Sequence, residues 1–273
     1  MCPALPHPLF WVLLLLVSGC GWSVVDQEKL YEGIERCLLN FYGISVYDLD
    51  NELVRRNYNK PLGELNLSES TALAASIDNL FDEEDLNMLN RLHTCVAALE
   101  KERYIRRTFY GPNGEDVDGN IVLYLTGILS ELAPALMERV ISSCAIASER
   151  MGWNHLPTPL GWTNHSTHNL GIRCIEIISY NGEENSGLAG HMDTGSVYTL
   201  IALMVEPMAF EGGRLMVGKS GDFFEPPLGG AVLFQSEALH ALTRVSNGHR
   251  RVFSVEFWDR PTAKFGEFRP SPT

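Results

Sequence analysis

Apolar positions recur at helical spacing through the first half of the chain and gather into short β-branched or aromatic runs in the second. Leu30, Ile34, Cys37 and Leu38 fall on one helix face, as do Leu73, Ile77, Leu80 and Phe81, and then Leu86, Leu89, Leu92, Val96 and Leu99. The first hundred residues are therefore predicted to be mostly helical. Gly111-Pro112-Asn113-Gly114 and the acidic stretch from Glu115 to Asp118 form a turn-rich boundary. A further amphipathic helix is predicted through Leu129, Leu132, Leu136, Val140 and Cys144, with Pro134 in its first turn, where the missing N–H costs little. Beyond it, Gly229-Gly230 reads as a turn feeding a strand at Ala231–Phe234, and Arg251–Trp258 has the composition of another strand.

The candidate chemistry lies among those strands. His191 and Asp193 flank Met192, so on an extended segment their side chains point the same way and can reach one metal ion together. Two imidazoles and a carboxylate cover one face of an octahedral ion and leave the other positions open, the donor set of non-haem Fe(II) oxygenases. His240 closes the strand unit that begins at Ala231 and is the candidate third ligand; His249 competes with it, but would leave the arginines of the following strand without a role and push the carboxylate partner to Arg260. Arg250 and Arg251 open that strand on opposite faces, so only one of them can enter a barrel. A guanidinium matches a dicarboxylic acid in a way that an ammonium does not. A polar turn is the plain alternative for His191 and Asp193, because Gly190 and Gly195 flank them. His93 lies on a helical pattern and is read as a surface or packed histidine, and His155, His165 and His168 sit in a loop-like segment.

From about Ile172 to Trp258 the chain resembles the Fe(II)- and 2-oxoglutarate-dependent dioxygenases, in particular the prolyl and lysyl hydroxylase branch. The matching elements are Tyr180 with Gly182, His191-Met192-Asp193, Tyr198–Leu203, Phe210-Glu211-Gly212-Gly213-Arg214-Leu215, His240 and Arg250. A lone H-x-D is weak, whereas five ordered elements make a strong signal. The resemblance implies an α+β protein with a double-stranded β-helix, or jelly-roll, core, an N-terminal helical region and buttressing helices. It implies Fe(II) bound by His191, Asp193 and His240, with 2-oxoglutarate as co-substrate paired to Arg250, O2 as oxidant and ascorbate as reductant. Its spacing favours Arg250 over Arg251, which would then be a solvated side chain. Tyr180 corresponds to a tyrosine of the co-substrate pocket, although a ring packed in the core is an equal reading. The expected organisation is a signal peptide over 1–19, with a later cut extending it to about residue 25, a helical region over 26–108, a jelly-roll domain over 109–262 and a flexible tail over 263–273.

Composition narrows the partners. The 273 residues carry a net charge of -13, with 19 acids against 10 bases over residues 26–120 and 15 against 11 from residue 121 onward. Such a balance argues against nucleic acid or an anionic membrane surface, both of which need clustered Lys and Arg. The first 25 residues carry no charged side chain, and Leu9–Val17 is an apolar run too short to span a bilayer, which needs about 20 residues. This is a signal-like leader, so no stable transmembrane anchor is expected and export through the secretory pathway is; Val17-Ser18-Gly19-Cys20 also resembles a bacterial lipoprotein box, with Cys20 the lipidated residue. In an oxidising compartment one or two disulfides among Cys37, Cys95, Cys144 and Cys174 are plausible, while Cys144 and Cys174 also read as free thiols. Asn66-Leu67-Ser68 and Asn164-His165-Ser166 fit the glycosylation pattern. The function expected is hydroxylation of a prolyl or lysyl residue of a secretory-pathway protein. A small-metabolite or lipid hydroxylase, or a non-catalytic secreted binding module on the same fold, is the alternative.

Overall fold

The structure is a computed structural model that describes residues 65–99, 105–110, 116–126, 129, 133–153 and 170–258. The predicted signal segment, the helix at Leu30–Leu38, the turn at Gly111–Gly114, the loop histidines His155, His165 and His168, Asn164 and the tail lie outside the described residues.

The strands are β1 (Leu67–Ser70), β2 (Ala74–Ile77), β3 (Ile105–Tyr110), β4 (Asp116–Tyr124), β5 (Gly171–Asn181), β6 (Leu188–His191), β7 (Tyr198–Leu203), β8 (Phe210–Gly212), β9 (Leu215–Val217), β10 (Asp222–Phe224), β11 (Ala231–Gln235), β12 (His240–Leu242) and β13 (Val245–Trp258). Among the described residues, the helices α1 (Glu83–Leu99) and α2 (Pro134–Arg150) accompany them. The major sheet has the order β1-β2-β11-β7-β13-β5-β4-β3, with β8 pairing the start of β13, and the minor sheet is β10-β9-β12-β6. Every pairing among the described residues is antiparallel.

Side-chain alternation along the major strands builds two cores. Ile178, Tyr180, Leu203, Val232, Phe234 and Val252 face Leu215, Val217, Phe224 and Leu242 of the minor sheet, filling the space between the sheets. Ile175, Ile177, Leu200, Ala202, Leu233, Phe253, Val255 and Phe257 point the other way, onto α1 (Leu86, Leu89, Leu92) and α2 (Leu136, Met137, Val140, Cys144). The result is two antiparallel sheets forming a jelly roll, with helices covering the outer face of the larger one. No helix among the described residues is long and apolar enough to cross a membrane.

Pro134 stands in the first turn of α2 as expected, after the cap Ala133, but the helix starts there, later than the Leu129 with which the predicted helix began. The helix expected on Leu73, Ile77, Leu80 and Phe81 is instead a strand and a turn. Thr71 Oγ1 accepts from the backbone N–H groups of Leu73 and Ala74, making the β1–β2 turn, and Asn79 adopts a left-handed conformation (φ 52°) that interrupts any helix. β2 then pairs with β11 from Ala74 to Ile77, with all four residues buried. The helical segment starts only after Asp82, where Asp82 Oδ1 accepts from Asp85 N and Asp85 Oδ2 accepts from Asp82 N, a reciprocal cap. Residues assigned to a helical region before 109 thus supply β1, β2 and β3 to the same major sheet, and the boundary at 108/109 does not divide the fold.

Cys144 is buried, and Cys174 is half-buried with its thiol donating to Glu176 Oε1 at 3.3 Å; neither forms one of the disulfides expected among the four cysteines. Asn66, at an exposed position before β1, donates its side-chain N–H to Asp78 Oδ2 at 2.7 Å.

Candidate metal centre and co-substrate pocket

His191 ends β6 and His240 begins β12, and the register of these two strands sets the residues directly opposite one another. Their rings lie 4.1 Å apart between centroids, and Phe234 packs against His240 at 4.6 Å. In both histidines Nδ1 meets a backbone carbonyl two residues upstream, Ala189 at 2.9 Å and Ala238 at 3.0 Å. A carbonyl only accepts, so Nδ1 carries the proton and Nε2 presents its lone pair, the tautomer a metal ligand needs.

Both Nε2 atoms face Asp193, His191 at 3.4 Å from Oδ1 and His240 at 3.5 Å from Oδ2. The three residues offer ligand atoms that all lie within 4.8 Å of one another. Bonds of about 2.0–2.2 Å place neighbouring donors on an octahedron about 3 Å apart, so these separations fit three adjacent positions around one ion. The donor set, two neutral imidazoles and a carboxylate, suits Fe(II) with open positions for further ligands.

Asp193 is held from several sides. Its backbone N–H donates to Ser236 O at 2.9 Å, and its carbonyl accepts from Ser196 N at 3.1 Å. Thr199 Oγ1 donates to Oδ2 at 2.6 Å and lies 2.8 Å from Ser236 Oγ. A hydroxyl has one proton to give, so Ser236 donates to Thr199 and the chain Ser236–Thr199–Asp193 runs in one direction. Burial opposes ionisation of Asp193, but with the imidazoles protonated the Nε2–H that His191 donates and the positive charges of His240 and His191 outweigh it and hold the carboxyl below its usual range. Burial also works against protonation of His191, yet its contact with Asp193 leaves it raised, while burial leaves His240 lowered.

A second polar group sits behind Asp193. Glu256 Oε2 accepts from Ser196 Oγ at 2.6 Å and from Arg173 Nη1 at 3.0 Å, and Arg173 Nη1 also donates to Thr194 O at 3.0 Å. Burial, then the charges of Asp193 and Glu176, push the Glu256 carboxyl up. Arg173 therefore ties the loop after the ligand pair to β13.

Arg250 enters the barrel. It shares the inward face of β13 with Val252, is 3% exposed, and lies opposite Tyr180 of β5. Its guanidinium carbon is 5.6 Å from the Tyr180 ring and 5.9 Å from the Phe210 ring, and no carboxylate pairs with it among the described residues. Burial draws its pKa down to about 10. Gly213 (φ +63°) makes room for it, since a Cβ there would meet Arg250 Cδ at 2.8 Å and Val245 Cγ2 at 2.9 Å. Tyr180 is buried, with its ring in the inner core and beside the arginine.

His249 is exposed and pairs with Asn181, away from the triad. Arg251 points outward as alternation requires, but it is not a solvated side chain. The outer face is covered by α1, and Arg251 Nη1 donates to Asn90 Oδ1 at 3.0 Å. His93 is a packed histidine on that helix, its pKa lowered to about 4 by burial and then by the charge of Arg251. Sequence reasoning missed Thr199, Ser236, Glu256 and Arg173. Thr199 stood inside a matched strand, but nothing in local spacing marks a hydroxyl that reaches back to Asp193.

No family model matches the chain, and a comparison with curated proteins finds no match. Among solved structures, similarity is found to an oxidoreductase of the 2OG-Fe(II) oxygenase family from Burkholderia pseudomallei (15% identity, TM-score 0.47, 73% of this chain and 96% of that one). It is also found to a prolyl hydroxylase from Trichoplax adhaerens in complex with a hypoxia inducible factor oxygen degradation domain peptide fragment (13%, 0.49, 88% and 94%). A Pseudomonas putida prolyl-4-hydroxylase is a third (14%, 0.45, 67% and 91%). In its own residues the chain combines a jelly roll, a two-histidine, one-carboxylate donor set and a buried arginine inside the same barrel. These are the features of the Fe(II)- and 2-oxoglutarate-dependent oxygenases that the sequence resembles.

Proposed function

We propose that the protein is an Fe(II)- and 2-oxoglutarate-dependent hydroxylase acting on a prolyl or lysyl residue of a protein in the secretory pathway, with ascorbate as reductant. The observation that carries the reading is the pairing of two arrangements in one barrel. His191, Asp193 and His240 present three adjacent donors, and Arg250 is buried with no acidic partner among the described residues. A buried guanidinium favours a ligand carboxylate that can take two parallel N–H donors. The histidines would hold the metal through Nε2 and Asp193 through its carboxylate, while Arg250 would hold the far carboxylate of the co-substrate. Bound there, Fe(II) and 2-oxoglutarate supply the activation of dioxygen and the hydroxylation of a C–H bond, with succinate and carbon dioxide as co-products. The protein supplies position: Thr199 and Ser236 orient Asp193, and Phe234 shields one side of His240.

A peptidyl substrate is supported by the ordered match to the prolyl and lysyl hydroxylase branch, and the secretory setting by the uncharged, apolar leader. Two measurements test the proposal. Anaerobic addition of Fe(II) and 2-oxoglutarate is expected to give a visible charge-transfer band that Asp193→Ala abolishes. Its absence from folded, iron-loaded protein overturns the co-substrate assignment. Proline- and lysine-containing peptides are then expected to stimulate succinate formation and to gain the mass of one oxygen atom. Stimulation by small metabolites or lipids alone would replace the peptidyl reading.

A further inference from the structure

Asn120 is 1% exposed, and neither Nδ2 nor Oδ1 of its amide has a hydrogen-bond partner among the described residues. Buried amides are nearly always bonded, because one without partners has given up water for nothing. Its position gives the reason. β4 pairs with β5 at Ile121↔Ser179 and Val122↔Ile178, and continuing that register sets Asn120 across from Tyr180. Tyr180 in turn pairs with Arg250 on β13. Val122, Tyr180 and Val252 all belong to the core between the sheets. Alternation therefore puts Asn120, Tyr180 and Arg250 on the inward face in one row across three neighbouring strands. The row brings together a buried cation with no acidic partner among the described residues and a buried amide with an open donor and an open acceptor.

We infer that Asn120 is a second binding residue for the far carboxylate of the co-substrate, its Nδ2 donating to that carboxylate beside Arg250. The inference rests on the co-substrate reading above. A carboxylate held bidentately by Arg250 still has lone pairs left, and Asn120 Nδ2 can donate to one of them. One ligand carboxylate thus satisfies both side chains. A dicarboxylic 2-oxo acid gains from this row, whereas a 2-oxo acid without the second carboxylate does not reach it.

The test is calorimetric binding of 2-oxoglutarate and of pyruvate to the Mn(II)-loaded protein, in the parent, Asn120→Ala, Asn120→Asp and Arg250→Ala forms. Loss of a hydrogen bond to a charged group is expected to weaken 2-oxoglutarate about ten- to a hundred-fold in Asn120→Ala. Asn120→Asp keeps the shape but sets a rival carboxylate beside Arg250, and is expected to weaken it at least as much. Pyruvate affinity is expected to be unchanged in both. Because the amide makes no bond in the folded chain, the melting temperature of Asn120→Ala without ligand is expected to stay near the parent value, and only the rise on adding 2-oxoglutarate to shrink. Unchanged 2-oxoglutarate affinity in both Asn120 variants, or equal weakening of pyruvate, overturns the inference. A parent protein that binds Mn(II) but neither 2-oxo acid overturns the co-substrate reading itself, an outcome seen before any variant is made.

Discussion

The two ends of the barrel interior treat polar groups in opposite ways. Around Asp193 the side chains are tied together: Thr199 and Ser236 hold the carboxylate, and Ser196 and Arg173 hold Glu256 behind it. Around Arg250 they are left open, with a guanidinium flanked by the rings of Tyr180 and Phe210 and an amide at Asn120 without partners. The satisfied end keeps the metal ligands in one geometry before any ion binds. The open end keeps strong donors desolvated, and such donors are worth most to a ligand that meets them away from water. Rigidity and unmet hydrogen-bonding capacity are thus separated along the same strands.

Breaking the tied end has the largest expected effect. Alanine at His191, Asp193 or His240 should abolish turnover and metal binding with the fold retained, while His249→Ala, on an exposed residue, should be nearly silent. Metal titration followed by turnover checks this, and a dead His249 variant with an active His240 variant would reverse the ligand choice.

At the open end, Arg250→Ala should weaken 2-oxoglutarate by roughly a hundred-fold or more, since it strips the partner from a buried carboxylate. Arg251→Ala should leave that affinity alone and cost about 1 kcal/mol of stability through the lost bond to Asn90. Binding curves beside denaturant melts separate the two faces of β13.

The support behind Asp193 should matter less than the ligands it holds. Thr199→Val keeps the shape but removes the hydroxyl donated to Oδ2, and should lower metal affinity roughly 10–100-fold. A competition titration with a chelator measures the change; an effect as large as that of Asp193→Ala would mean that Thr199 does more than orient.

The smallest effect falls outside the barrel, on α1. His93 is held neutral in the fold with a pKa near 4, against 6.5 in the free side chain. Between those values the unfolded chain binds the extra proton, so stability should fall as the pH drops through that window. The unfolding midpoint of His93→Gln should depend less steeply on pH between 6.5 and 4 than that of the parent.

The candidate site was more legible in the sequence than the fold around it. His191 and Asp193 on one side of a short extended segment, a histidine at the end of an apolar run, and an arginine opening a β-rich run are each local facts. The N-terminal half misled because the spacing of Leu73, Ile77, Leu80 and Phe81 suits a helix as well as a strand followed by a turn. Only pairing with β11 decides between them. Arg251 misled for a related reason: alternation says which way a side chain points, but not whether solvent or α1 lies there.

What the sequence determined by itself is the donor chemistry, the alternation that sets Arg250 and Arg251 on opposite faces, and the helix through Leu136, Val140 and Cys144. These follow from residue type and from periods of two or 3.6 residues, which operate within a few positions. What only the tertiary structure decided is the set of neighbours: His240 opposite His191, Thr199 reaching Asp193, Asn120 in line with Arg250, and β2 rather than a helix beside β11. Those contacts join residues far apart in the chain, and strand register, which no local pattern encodes, is what brings them together.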